Sequence, residues 1–165
     1  YRGADETPVQ FAKRVQTMIA RRANLVARDW RRLARFYEEV LGCVPVPPAR
    51  DYGGRNLEAA TGLPGARLEG LHLRLPGHGE DGPTLEIFAY EDQVGAGRPA
   101  INRPGFAHIA FAVEDVAAAR EAFLAAGGSD YGAVTRFETS AGQQVEMVYL
   151  RDPEGNIVEL QHWLS

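Results

Sequence analysis

The sequence predicts an α+β fold in which two tandem βαβββ modules form a cupped, partly open eight-stranded mixed sheet with the helices outside. A strand–helix–glycine pattern occurs twice, in residues 22–42 and 108–128, and a shift of 86 positions relates the two copies. Each copy also ends in a β-rich segment, residues 85–88 and 158–161, and these are related by a shift of 73 positions. The first copy is therefore longer in its middle, and the two copies are expected to pack about a pseudo-twofold axis.

The first module is predicted to span residues 19–94, after an N-terminal extension of residues 1–18 that includes a short helix. A strand at residues 23–27 leads to Asp29, whose carboxylate suits the N-cap of a helix. That helix is expected to end at Gly42, because glycine readily adopts the left-handed conformation at a helix terminus.

The middle of the first module is rich in proline and glycine between residues 45 and 65, which predicts loops around a weak strand or a short turn. Two strands are predicted after it, at residues 71–75 and 84–90, because the first alternates strictly and the second is rich in β-formers. A turn built from glycine, proline, glutamate and aspartate separates these two strands.

A linker at residues 95–104 separates the modules, and the second module is predicted to span residues 105–165. It repeats the order of the first, with a helix that Asp115 caps and that Gly127 and Gly128 end. Its predicted strands lie at residues 107–113, 134–137, 145–150 and 157–163.

Composition excludes several classes of protein. The formal net charge of -4 gives no electrostatic footprint for nucleic acid, and no apolar stretch reaches the roughly 20 residues of a membrane span. The single cysteine, Cys43, rules out an intramolecular disulfide and is expected to be a small buried hydrophobe. Because the N-terminus lacks a signal-peptide pattern, the sequence predicts a cytoplasmic protein.

The repeat places four polar residues at equivalent positions. Arg22 and His108 begin the paired first strands, and Glu86 and Glu159 lie in the paired last strands. Both glutamates are flanked by apolar residues, where an unpaired carboxylate would be costly, so each needs a cation, an arginine or a shared proton. Their equivalence favours one shared pocket over two solvent-facing glutamates.

Aromatic residues alternate along the same strand faces as the two glutamates, which indicates the walls of a pocket. Arg50 and Arg74 would suit an acidic group of a substrate, although surface placement is the default expectation. His72 alternates with Leu71 and Leu73, which leaves a pocket-facing position open, but an exposed strand position is favoured. His162 is expected to be structural because it alternates away from Glu159. The predicted pocket residues are Arg22, Phe88, Tyr90, Tyr149 and Trp163.

Four motifs in the right order carry a family resemblance. Residues 24–30 (NLVARDW) and 36–42 (FYEEVLG) resemble the first module of the glyoxalase, or vicinal oxygen chelate, superfamily. Residues 105–113 (GFAHIAFAV) and 151–160 (RDPEGNIVEL) are similar to its second module. The resemblance covers nearly everything after Met18 and is closest in pattern to glyoxalase I-like proteins; bleomycin-resistance proteins and extradiol dioxygenases belong to the same superfamily.

The resemblance implies a divalent metal (Zn, Ni, Co, Mn or Fe) held by residues from the first and last strand of each module. Carried over by position, the metal ligands are Glu86, His108 and Glu159. The fourth position is Arg22, and a guanidinium does not ligate a cation. Two models follow. Either Arg22 points away and three side chains hold the metal, or Arg22 replaces the charge of the metal and pairs with a glutamate.

The implied function is a glyoxalase-like, metal-dependent lyase or isomerase that acts on a small oxygen-bearing substrate by chelation and proton transfer, with Glu159 and Glu86 as catalytic residues. The alternative is a metal-free binding protein for a small molecule such as an antibiotic, of the bleomycin-resistance type, and Arg22 favours it. An extradiol-type dioxygenase is the second alternative. The expected partner is a small molecule, with no nucleic acid or membrane, and a homodimer is the expected assembly.

Overall fold

The computed structural model describes residues 21–95 and 97–164, so the short helix predicted within residues 1–18 lies outside the described residues. Within them, none of the helices combines the length and apolar character that crossing a membrane requires. The first half contains β1 (Arg22–Val26), α1 (Trp30–Leu41), β2 (Val44–Gly53), α2 (Arg55–Thr61), β3 (Arg67–Arg74) and β4 (Thr84–Tyr90). The second half contains β5 (His108–Ala112), α3 (Val116–Ala125), β6 (Ser129–Asp130), β7 (Thr135–Glu138), β8 (Gln144–Arg151) and β9 (Ile157–Leu164).

The two halves have matching sheet topologies. One sheet has the strand order β1-β4-β3-β2, and the other has the order β5-β9-β8-β6, with β7 also paired to β8. In each sheet the first strand runs parallel to the last, β1 to β4 and β5 to β9, and the remaining pairs are antiparallel. This confirms the α+β fold of two βαβββ modules. The strands form two open sheets, and the short β6 adds a strand to the eight that were predicted.

Both long helices begin and end at the predicted residues. The carboxylate of Asp29 accepts a hydrogen bond from the backbone N–H of Arg32, and that of Asp115 accepts one from Ala118, so each is a true N-cap. Gly42 has φ 66°, the left-handed conformation that ends α1.

The middle of the first module contains more regular structure than the loops around a weak strand or short turn that were predicted. Residues 44–53 form a full strand, β2, and residues 55–61 form a short helix, where loops around a weak strand were expected. Proline is tolerated in β2 because this strand is the edge of its sheet. The register of β2 against β3 shifts between Val46 and Arg50, so Pro47 and Pro48 fall in an irregularity that leaves the rest of the pairing intact.

One hydrophobic core joins the two modules. It contains residues of α1 and α3 together with one face of each sheet. The Phe36 ring packs edge-to-face on Phe123 with ring centroids 4.7 Å apart, which links the two helices. Cys43 lies in this core, and burial, with a smaller effect of Glu38, raises the pKa of its thiol to about 12. This matches the expectation of a small buried hydrophobe.

Hydrogen bonds connect the two modules at the turn that joins β8 and β9. The hydroxyl of Tyr37, on α1, donates to Asp152 Oδ2 at 3.1 Å, and both groups are buried. The backbone N–H groups of Arg28 and Asp29 donate to the Glu154 carboxylate at 3.1 and 3.0 Å. Burial raises the pKa of the Asp152 carboxyl, although the hydrogen bonds that it accepts act in the opposite direction.

Replacing Tyr37 by phenylalanine tests this junction. Tyr37→Phe removes the hydroxyl and leaves a buried carboxylate oxygen with one donor fewer, so the free energy of unfolding should fall by about 1–2 kcal/mol. Urea denaturation followed by circular dichroism measures the change. The control is Tyr52→Phe, because Tyr52 is 46% exposed, and it should shift the value by less than about 0.5 kcal/mol. Equal effects of the two substitutions would contradict the role of the junction.

Candidate functional site

Both predicted glutamates lie on the sheet faces that point away from the helices. Glu86 of β4 pairs with His72 of β3, and Glu159 of β9 pairs with Tyr149 of β8. Directly paired residues project to the same side of a sheet. The next residue after Glu86, Ile87, is in the core beneath α1, so Glu86 projects the other way. The side of β1–β4 that carries Glu86 is called the first face here, and the side of β5–β9 that carries Glu159 is the second face.

On the first face, Glu86 is held by two basic side chains, and these three residues form the first cluster. Arg22 Nη1 lies 3.1 Å from Glu86 Oε1, and His72 Nε2 lies 3.2 Å from the same oxygen. The side chains of His72 and Glu86 are 12% and 14% exposed, whereas that of Arg22 is 63% exposed. The guanidinium therefore covers a nearly buried carboxylate from the solvent side.

The expectation that His72 lies at the surface was wrong. Its side chain is nearly buried between Glu86 and the edge of the Phe88 ring, 5.7 Å between ring centroids. Burial lowers the pKa of His72; the Glu86 carboxylate raises it, and Arg50 and Arg22 lower it further. The net effect is a lowered pKa, so the imidazole is neutral at neutral pH and donates or accepts a hydrogen bond without adding charge.

On the second face, Glu159, His108 and Tyr149 form the second cluster. His108 Nε2 lies 3.0 Å from Glu159 Oε2, and the Glu159 side chain is 11% exposed. The His108 and Tyr149 rings meet edge-on with centroids 5.2 Å apart. Burial raises the pKa of the Tyr149 hydroxyl, and the neighbouring Glu159 carboxylate adds to the rise. This hydroxyl therefore stays protonated and can donate to an oxygen atom.

The two clusters occupy equivalent places in the repeat. Arg22 on β1 and His108 on β5 contact the glutamate of their own sheet from the strand on one side. His72 on β3 and Tyr149 on β8 flank the same glutamate from the strand on the other side. The contact between His72 and Glu86 was not predicted from the sequence, although a pocket-facing position for His72 was left open. The sequence feature that could have revealed this contact is the hairpin of β3 and β4, because the register of the two strands pairs His72 with Glu86.

Three other predicted pocket residues lie on these faces. The Phe88 ring covers Gly70, where any Cβ would collide with the ring and with the backbone of β4. Trp163 is 46% exposed on the second face. Tyr90 follows Phe88 on the first face but lines a separate cavity of about 970 Å³ with the linker and the β8–β9 turn. None of the residues of the two clusters lines that cavity.

His162 points to the core side of β9, as expected, and its Nδ1 lies 2.9 Å from the carbonyl oxygen of Val113. It therefore ties β9 to the end of β5. This histidine takes no part in either cluster, which agrees with the structural role predicted for it.

The metal that the resemblance implies does not fit this arrangement. The expected ligands Glu86, His108 and Glu159 are divided between the two clusters. Residues 21–95 and 97–164 contain no group of three or more histidine, cysteine, aspartate or glutamate side chains that could hold a metal ion. Oε1 of Glu86 already accepts from a guanidinium, which supplies the positive charge that a metal would bring.

The paired βαβββ modules, with a glutamate cluster on each exposed sheet face, define a two-module protein of the glyoxalase fold class. The chain belongs to the glyoxalase-like domain family, whose model matches residues 22–160. This confirms the resemblance found in the sequence motifs. A search of the curated proteins finds no match.

Solved structures show the same fold at low sequence identity. A glyoxalase family protein from Bacillus cereus matches with a TM-score of 0.76 and 20% identity, covering 92% of this chain and 99% of that chain. A glyoxylase/bleomycin resistance protein/dioxygenase domain from Frankia sp. EAN1pec matches with a TM-score of 0.56 and 21% identity, over 87% and 95% of the two chains. A glyoxalase family protein from Enterococcus faecalis gives 0.56 and 23%, over 88% and 98%.

The lowered pKa of His72 predicts how stability depends on pH. Because its pKa is lowered on folding from an ordinary value of 6.5, the unfolded chain binds the proton more tightly. The stabilising contribution of neutral His72 is complete above that value and is lost as the pH falls below it. The difference in unfolding free energy between wild type and His72→Gln should therefore decrease between pH 7.5 and pH 5.5.

Urea denaturation across this pH range measures that difference. His78→Gln is the matched control, because His78 lies exposed in the turn before β4. The unfolding free energy of His78→Gln should change with pH in the same way as that of the wild type. Parallel curves for wild type and His72→Gln would show that His72 titrates alike in the folded and unfolded chains.

Proposed function

We propose that this protein is a metal-independent, small-molecule-binding member of the glyoxalase superfamily, of the bleomycin-resistance type, with its ligand bound at the exposed sheet faces that carry the two clusters. One observation carries the proposal: the Arg22 guanidinium lies on Glu86, at the place where the resemblance expects a metal ligand. The guanidinium of Arg22 therefore supplies a fixed positive charge at this position.

The electrostatics of the first cluster support this reading. A carboxylate as buried as Glu86 is costly unless a cation and hydrogen bonds compensate it, and Arg22 and His72 provide both. Only Nη1 of Arg22 contacts Glu86. Because a guanidinium carries five N–H donors, the exposed remainder of Arg22 is able to donate to oxygen atoms of a ligand.

The floor of the site suits an organic ligand. Phe88 and Met147 lie on the first and second faces and are each 7% exposed, so apolar side chains close the base of each face. Phe137 and Trp163 are 45% and 46% exposed on the second face. Large exposed apolar side chains beside a few fixed polar groups are typical of a small-molecule site.

A metal-dependent lyase or isomerase of the glyoxalase kind is the second candidate. The His108–Glu159 pair favours it, because an imidazole and a carboxylate 3.0 Å apart form a group able to move a proton. This function would require Arg22 to leave Glu86. An extradiol-type dioxygenase, which needs two histidines and a glutamate on one metal, ranks below both, since His72 and His108 lie in different clusters.

Metal uptake separates the first two functions. Wild-type protein, incubated with Zn²⁺ or Ni²⁺ and then desalted, should hold far less than one metal ion per chain by plasma mass spectrometry. Arg22→His replaces the guanidinium by an imidazole able to ligate, and it should retain severalfold more metal. Arg21→His is the matched control on the adjacent residue and should behave as wild type.

Near-stoichiometric metal in the wild type, lost in both Glu86→Ala and Glu159→Ala, would overturn the metal-independent function and favour the enzyme. Uptake by Arg21→His equal to that of Arg22→His would show that an added histidine binds metal without using the first cluster.

A further inference from the structure

The cavity of about 970 Å³ lies at the junction of the two modules, apart from both clusters. The first module lines it with residues at the ends of β1 and β4 and after α2, and the second module lines it with the start of β6 and the β8–β9 turn. The chain that leaves β4 and the first part of the linker form a further wall. Small-molecule sites in proteins have volumes of about 300–1,000 Å³, so this cavity is large enough for an organic ligand.

Three aliphatic side chains line this cavity and remain exposed to solvent. Val26, Leu63 and Val94 are 52%, 49% and 92% exposed. They come from separate parts of the chain, after or at the ends of β1, α2 and β4, and the fold brings them to one concave site. Exposed apolar surface in a concave site is typical of a place where the apolar part of a ligand binds.

The acidic groups of the β8–β9 turn are already satisfied by hydrogen bonds. The Glu154 carboxylate accepts from two backbone N–H groups of the first module and from Nε of Arg28, at 2.9 to 3.1 Å. The buried Asp152 carboxylate accepts from the hydroxyl of Tyr37 and from the backbone and side-chain N–H groups of Asn156. Neither carboxylate therefore presents an uncompensated negative charge to the cavity.

Guanidinium nitrogens remain available beside these satisfied acids. Among the described residues, the Arg28 side chain contacts Glu154 only through Nε, and it is 78% exposed. Arg98 lines the cavity, and Arg32 reaches its rim, because Arg32 Nη2 lies 3.5 Å from the place where a Cβ of Gly127 would stand. Both are exposed, and neither has a carboxylate oxygen within 4.0 Å in the part of the chain that the structure describes.

Two further charged residues line the cavity. Arg151 is buried, donates to the carbonyl oxygens of Gly155 and Pro99 and stacks on the Tyr131 ring, so it holds the walls together. Asp92 is exposed and has no ion-pair partner within the described residues. The charge of Asp92 opposes the binding of an anion, and removing it should strengthen such binding.

We propose that this cavity is a second ligand site, which binds an aliphatic acid. The acid group pairs with the guanidinium groups of Arg28, Arg32 and Arg98, and the hydrocarbon chain lies against the three exposed aliphatic side chains. Guanidinium groups bind carboxylates and phosphates by charge-assisted, often bidentate hydrogen bonds. Because the cavity contains no residue of either cluster, this site is independent of the function proposed for the sheet faces.

Matched acid and amide probes test the proposal. Octanoate carries the charge and the chain, and octanamide has the same chain without the charge. Each competes with 11-(dansylamino)undecanoate, a fluorescent fatty acid whose emission rises in an apolar site. Octanoate should displace this reporter at concentrations about tenfold lower than octanamide. Added salt should weaken the binding of octanoate and leave that of octanamide unchanged.

Charge substitutions locate the acid group. Arg98→Gln removes a guanidinium, so it should weaken the binding of octanoate about fivefold to tenfold and leave octanamide unchanged. Asp92→Asn removes the opposing charge and should strengthen the binding of octanoate severalfold. Arg55→Gln is the matched control, because Arg55 is exposed at the start of α2 and does not line the cavity. It should bind both probes as the wild type does.

An aliphatic substitution locates the chain. Val94→Asn replaces an exposed aliphatic side chain by a polar one of similar size, so it should weaken octanoate and octanamide alike. Val134→Asn is the matched control, because Val134 is also exposed and does not line the cavity. Unfolding midpoints verify that each variant is folded before its affinity is compared.

Three outcomes overturn the inference. They are equal displacement by acid and amide, the absence of any reporter binding up to millimolar concentration, and loss of octanoate binding in Arg22→Gln with none in Arg98→Gln. The last result would place the acid at the first cluster. None of them bears on the metal-independent function, which metal uptake tests separately.

Discussion

Each sheet buries one carboxylate near its middle, and the arrangement of the site depends on how the negative charge of that carboxylate is compensated. Glu86 and Glu159 are 14% and 11% exposed at the side chain, and each is the central polar group of its sheet face. An ionised carboxylate at such depth is tolerated only when charge or hydrogen bonds offset its lost hydration. In each module, residues on the two strands that flank the glutamate compensate its charge. The identity of those residues determines the chemistry of each cluster.

The repeat gives the two modules the same scaffold and different chemistry. In the first, a permanently charged guanidinium and a neutral imidazole hold Glu86; in the second, His108 and a protonated tyrosine surround Glu159. The first cluster consequently holds its carboxylate with a permanent positive charge, whereas the second holds its carboxylate with an imidazole and a hydroxyl. The shared core and the Tyr37–Asp152 contact hold the two modules together, and so link the two clusters in one molecule.

The sequence allowed much of the fold to be predicted, because the repeat, the caps at Asp29 and Asp115 and the stop at Gly42 depend on local rules. The length of β2 was underestimated because edge position, a tertiary property, decides whether a strand tolerates its prolines. Of the site, the equivalence of Glu86 and Glu159 was visible in the repeat. Their partners were harder to predict, since His72 becomes a neighbour of Glu86 only through strand register.

The most direct test of the central claim is a crystal structure of the protein grown with Zn²⁺ or Ni²⁺, with anomalous diffraction recorded at the metal edge. The account predicts the Arg22 guanidinium within hydrogen-bond distance of Glu86 and no anomalous peak beside that carboxylate. An anomalous peak shared by Glu86, His108 and Glu159, with Arg22 turned away, would contradict it. In that case both modules would supply ligands to a metal centre, and the Arg22–Glu86 ion pair would not describe the site.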